Sequence, residues 1–117
     1  MDELSIAGPT QVVELKRGAI TRYTVTPEDF GIDPVALDSL RAGSPAASLA
    51  LVNQSLAEPD SAASQIVALN AGAAIYVAGV ATTFANGVSM AQDVISAGLA
   101  KERLAELVRI SSLMGEG

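Results

Sequence analysis

The chain has 117 residues, half of them hydrophobic but only 3% aromatic. With no Cys and no His, disulfides, thiol nucleophiles and imidazole acid–base chemistry are excluded, and zinc lacks its usual ligands. A net charge of −6 argues against a nucleic-acid or anionic-membrane surface, since both need clustered Lys and Arg.

In chain order, the acidic pair Asp2-Glu3 follows Met1, the wrong sign for a secretory leader, which points to the cytoplasm. Two β-branched runs come next, Thr10 to Lys16 and Ala19 to Val25, joined at Arg17-Gly18. Gly18 can take the positive φ of a tight turn, so the pair reads as a β-hairpin. Pro27, with no N–H for a ladder, ends the second strand, and Pro27 to Gly31 reads as a turn or one helical turn. Asp33 to Gly43 is a connector with a helical turn over Val35 to Arg41.

The remainder reads as helices. Ser44-Pro45 is an N-cap followed by Pro at the first helical position, and Leu49, Val52 and Leu56 then share one face. Glu58-Pro59 stops that helix, and Asp60 or Ser61 caps the next, predicted over Ser61 to Val80. Gly72 and Gly79 fall on one side of it, where small residues let a neighbour approach closely. A third helix carries Phe84, Val88, Ala91 and Ile95 on one stripe and ends near Gly98. The last, from Leu99 to about Leu113, turns Leu104, Leu107, Val108 and Ser111 inward and Lys101, Glu102, Glu106 and Arg109 outward. The pattern is α+β: one hairpin, then a helical array, in one domain.

No charge occurs between Asp60 and Asp93, but the unbroken apolar run Ala71 to Ala81 is too short to cross a bilayer. A buried helix is expected instead, one that wants cover on every side. Four helices and a hairpin barely supply that cover, so the chain is expected to lean on something else. A lone Asn70 in this helix reads as a hydrogen-bonding residue that locks neighbouring elements, Tyr76 as packing and Arg41 as a surface cation.

Several stretches occur together in a recognisable order. They are Met1-Asp2-Glu3-Leu4-Ser5, Gly8-Pro9-Thr10, Glu14-Leu15-Lys16-x-Gly18-x-Ile20 and Pro27-Glu28-Asp29-Phe30-Gly31. Leu40-Arg41-x-Gly43, Leu69-Asn70-Ala71-Gly72-Ala73-Ala74-Ile75-Tyr76 and Gly87…Ala91…Ser96-Ala97-Gly98-x-Ala100…Leu104 follow. The ordered set resembles the later part of anthranilate phosphoribosyltransferases over essentially the whole chain. Ser48 and Gln65 depart from the family's usual Asn and acidic residue.

The resemblance implies a piece of the α/β large domain of a nucleoside phosphorylase/phosphoribosyltransferase-like fold. It implies transfer of phosphoribosyl from phosphoribosyl pyrophosphate to anthranilate, a step of tryptophan biosynthesis, in a homodimer. Asp2-Glu3 matches the family's metal motif, which implies Mg²⁺ held for the pyrophosphate. The helical domain, the glycine-rich phosphate loop and the anthranilate-binding residues precede that motif in the family. The chain is therefore expected to be a carboxyl-terminal fragment, inactive alone. A pyrimidine nucleoside phosphorylase-like fragment, an inactive relative acting as a nucleic-acid-binding module, and a structural helical protein stand as alternatives.

Overall fold

The computed structural model describes residues 1–115. An antiparallel hairpin, β1 (Thr10–Lys16) and β2 (Ala19–Val25), precedes two 3-10 turns, Pro27–Phe30 and Leu37–Leu40. Four helices follow: α1 (Pro45–Ala57), α2 (Ala62–Val77), α3 (Phe84–Ser96) and α4 (Leu99–Gly115).

The hairpin has the register that a two-residue turn dictates, with Lys16 opposite Ala19 and Thr10 opposite Val25. Arg17 at φ 50° and Gly18 at φ 78° both lie in the left-handed region, as a type I′ turn requires. Gly18 does so freely, whereas Arg17 is strained there. Helix starts follow the chemistry of their caps. Ser44 Oγ accepts from Ala47 N at 3.1 Å, Ser61 Oγ from Ser64 N at 3.1 Å, and Thr83 Oγ1 from Asn86 N at 3.0 Å.

The core lies along the seam between α2 and α3, the most extensive contact between any two elements. Ile6, Ile32, Leu69 and Val88 form one buried cluster, and Ala68, Ala91 and Ile95 a second. Two glycines set how closely the helices approach. A Cβ on Gly72 would stand 2.5 Å from Val88 Cα and N, and one on Gly87 would collide with the Gly72 carbonyl oxygen. Gly72 thus has the close-approach role that its sequence position suggests. Gly79 does not. It lies beyond the end of α2 at φ 79°, where it terminates the helix, and a Cβ there would meet nothing.

One burial expectation is overturned, that of an inward face on α4, and the shared apolar face of α1 is exposed as well. On α1, Leu49 is 58% exposed and Val52 is also exposed, while Ser55 is the helix's buried residue. On α4, Leu107 is 60% and Val108 57% exposed, Ser111 is exposed, Leu104 is half-buried, and no residue is buried. The charge-free α2 packs on α3 and, less extensively, on α1 and the amino-terminal segment, which still leaves Val67 and Val77 in solvent. The reason is the same in each case: the sequence marks an apolar stripe, but the chain carries nothing to lay against it.

The outer face of the hairpin repeats this. Register puts Val13, Leu15 and Ile20 together on the face opposite Val12, Glu14 and Tyr23, and Leu15 is 71% exposed. The accessible surface is 7734 Å², against about 5,950 Å² for a compact monomer of this mass. The radius of gyration is 15.8 Å, against about 13.4 Å for a compact domain of this length. The excess of roughly 1,800 Å² is about twice the ~800 Å² that each partner contributes to a standard protein–protein interface. No helix among the described residues is long and apolar enough to cross a membrane.

Candidate functional site

The hairpin, the amino-terminal segment and α2 enclose an open cleft of about 470 Å³. Asp2, Glu3, Glu14, Tyr23, Asn70 and Tyr76 all line it. One wall is the inward face of the hairpin. Strand alternation puts Thr10, Val12 and Glu14 on the face that also carries Tyr23, because Val12 pairs with Tyr23 and Glu14 with Thr21.

The segment carrying the acidic pair is anchored immediately after it. Leu4 N donates to Asn70 Oδ1 at 3.0 Å, and Asn70 Nδ2 donates to Leu4 O at 3.0 Å. Ser5 N donates to Thr10 Oγ1 at 3.1 Å. Ile6 is fully buried, and its carbonyl accepts from Val35 N at 3.0 Å. The backbone from Leu4 to Ile6 is therefore held by α2, the hairpin and the connector together. Asp2 and Glu3 remain exposed, and among the described residues neither carboxylate is in an ion pair.

The opposite side of the cleft is a latch between hairpin and helix. Tyr76 Oη donates to Glu14 Oε2 at 2.6 Å, and Tyr23 Oη donates to Glu14 Oε1 at 2.8 Å. These bonds, Tyr76 first, hold the Glu14 carboxyl below its ordinary range, with Lys16 adding a smaller attraction. Tyr23 is pushed up to about 12, by burial first and then by its bond to the Glu14 carboxylate. Lys16 Nζ lies 5.3 Å from the centre of the Tyr76 ring, whose other neighbour is Phe84 at 6.0 Å between centroids. Phe84 in turn packs on Phe30 at 4.7 Å. Tyr76 packs, as expected, and its hydroxyl also ties α2 to β1.

Arg41 stands apart on the surface, 3.7 Å from Asp38. Asn70 locks two elements together, as its isolation in an apolar helix implies. The partnership of Glu14 with Tyr23 was legible but not drawn. A two-residue turn at Arg17-Gly18 fixes Lys16 opposite Ala19, which places both side chains on one face. The joining of Tyr76 to them across 62 positions leaves no local signal.

The donor set suits one kind of cation. Asp2 and Glu3 offer hard carboxylate oxygens that are exposed in a cleft and not committed to a cationic side chain. Among the described residues no group of three or more His, Cys, Asp or Glu is assembled that could hold a metal unaided. A pair of carboxylates matches Mg²⁺, which characteristically takes one or two from protein and completes its shell with water and substrate phosphates.

Comparison with known proteins gives a consistent result. The family model described as "Glycosyl transferase family, a/b domain" matches residues 1–101. An anthranilate phosphoribosyltransferase of Saccharophagus degradans is 49% identical over 97% of this chain and 34% of its own length. That of a Marinomonas species is 51% identical over 92% of this chain and 32% of its own. A crystal structure of the Thermus thermophilus anthranilate phosphoribosyltransferase superposes with a TM-score of 0.79 at 33% identity. The superposition covers 93% of this chain and 32% of that one. The chain thus spans about a third of the length of the curated relatives it matches.

Proposed function

The chain belongs to the glycosyl transferase family with that α/β domain, and from this premise we propose that it is the carboxyl-terminal part of an anthranilate phosphoribosyltransferase. On this reading residues 1–117 complete the α/β domain of a homodimeric cytoplasmic enzyme. The helical domain and glycine-rich loop come from the portion that precedes them. The observation carrying the reading is the anchored acidic pair: a matching Asp2-Glu3 stands at the mouth of a cleft, on backbone fixed from Leu4 onward. The surplus apolar surface supports it, because a piece of a larger fold should expose what the rest of that fold covers.

In the proposed reaction, the bond between ribose C1 and the pyrophosphate oxygen breaks, and the electron pair leaves with pyrophosphate. The anthranilate amino nitrogen forms the new bond to C1 and gives up a proton. Negative charge grows on the leaving group as positive charge grows on the ribose. Mg²⁺, when bound, neutralises that growing negative charge. Asp2 and Glu3 would contribute the carboxylates that hold the ion at the cleft, toward the pyrophosphate end of the substrate. Glu14 is not placed in this role, since both its oxygens are engaged by tyrosine hydroxyls. Tyr23, with its hydroxyl proton held firmly, is a poor general base near neutrality. The charge of −6 supports a small-molecule substrate over nucleic acid.

The test uses a completed enzyme, in which this chain is joined by the amino-terminal portion of the Saccharophagus degradans relative. Replacing Asp2→Asn and Glu3→Gln together should lower turnover by about 100-fold or more, the scale seen when one electrostatic stabiliser is removed. The unfolding midpoint should hardly move, because both side chains are exposed. Unchanged turnover would remove the metal assignment.

A further inference from the structure

Asn70 sits in α2 and lines the same cleft as Asp2 and Glu3. Its side-chain amide makes three hydrogen bonds. Oδ1 accepts from Leu4 N at 3.0 Å, while Nδ2 donates to Leu4 O and to Ile66 O, both at 3.0 Å. Both Nδ2 protons are thereby used. The reversed amide would set an NH₂ against the Leu4 N–H and an oxygen against two carbonyls, so only one orientation is compatible with these partners.

The bond to Ile66 O ties Asn70 to its own helix one turn back, which fixes the rotamer. The remaining two bonds grip the Leu4 backbone on both sides, as a neighbouring strand would. The gripped Leu4 N–H belongs to the peptide unit whose carbonyl is that of Glu3. Holding it fixes the plane from which the Glu3 side chain departs, and Asp2 is one residue further. A helix with a rigid seam to α3 thus fixes the backbone immediately after the acidic pair.

We propose that Asn70 is a positioning residue for the Asp2-Glu3 cation site: it aims the two carboxylates by clamping the Leu4 backbone, without touching the cation. This rests on the metal reading of Asp2-Glu3 given above. Only an amide serves here. Asp at this position keeps the acceptor for Leu4 N–H but turns a carboxylate toward the Leu4 and Ile66 carbonyls. Ala loses all three bonds. Gln places its amide one methylene too far along.

Two measurements decide the matter. Hydrogen exchange on the unaltered chain needs no variant. The Leu4 amide should exchange far more slowly than those of Asp2 and Glu3, with no metal present. Exchange at the solvent rate in the folded chain overturns the clamp. The second measurement is Mn²⁺ binding to the completed enzyme, read by electron paramagnetic resonance in the parent, Asn70→Ala and Asp2→Asn. Asn70→Ala should weaken Mn²⁺ by about tenfold, the lower end of what loss of an outer-shell partner costs. A merely structural role would shift the unfolding midpoint and leave Mn²⁺ affinity alone. Affinity lost in Asp2→Asn but unchanged in Asn70→Ala overturns this inference and spares the metal reading. Affinity unchanged in Asp2→Asn overturns both.

Discussion

Replacing Gly72 with Ala tests what holds the fold in register. The added methyl would stand 2.5 Å from Val88 Cα, 2.5 Å from Val88 N and 2.6 Å from Val88 Cγ2. Carbon atoms in ordinary contact sit about 3.5–4.0 Å apart, so α2 and α3 must part by about 1 Å. Two of the three contacts are backbone and cannot swing aside. A gap of that size forfeits a quarter to a half of the dispersion well along the seam, where Leu69, Val88, Ala91 and Ile95 are buried. Ala gains about 1 kcal/mol of helix propensity over Gly, which offsets part of the loss. Taking overpacking near its upper range of about 3 kcal/mol, the net destabilisation is about 2 kcal/mol. In urea that moves the midpoint down by about 1 M for a typical slope of about 2 kcal/mol/M. Adding Val88→Ala should restore little, because it removes Cγ2 but neither backbone atom. A Gly72→Ala chain as stable as the parent would refute the reasoning, as would full rescue by Val88→Ala.

Titration of the latch should show in stability against pH. The Glu14 carboxyl is lowered in the folded chain, so its contribution is fully present above its ordinary value of 4.5 and is lost as pH falls through the lowered value. Tyr23 is raised from 10.0 to about 12, so its contribution is present below 10.0 and is lost as pH climbs toward about 12. The stability gap between the parent and Glu14→Gln should therefore be widest between those limits and close in acid; a constant gap would count against the latch. On the outer hairpin face, Leu15→Lys with Ile20→Lys should suppress self-association of the chain while its helix content persists. The same pair should weaken association with the amino-terminal portion, and unaltered association would mean that this face is not covered in the completed enzyme.

Local chemistry made the elements legible. Arg17-Gly18 between β-branched runs fixed the hairpin, Ser44-Pro45 the start of α1, and Gly98 the stop after α3. The stripe Val88, Ala91, Ile95 is buried as its spacing implies, with Phe84 half-buried beside it. The inward face expected on α4 is exposed for a physical reason. Periodicity reports that a helix has an apolar side, not that the covering surface belongs to the same chain. Gly79 was misread because a glycine seven residues after another looks like a packing face, when the helix had already ended. At the site, Asp2-Glu3 stood out only through the order of motifs around it, since two carboxylates near a chain end are ordinarily just solvated. Asn70 was legible as a lock, but its partner was not, because its grip on Leu4 spans 66 positions.

The most direct test of the central claim is to mix this chain with the amino-terminal portion of the Saccharophagus degradans relative, then follow loss of anthranilate in the presence of phosphoribosyl pyrophosphate. The account predicts no consumption by either piece alone. It predicts steady formation of phosphoribosyl anthranilate by the mixture, abolished by a chelator and restored by Mg²⁺. A well-folded complex that leaves anthranilate untouched at saturating Mg²⁺ would contradict it.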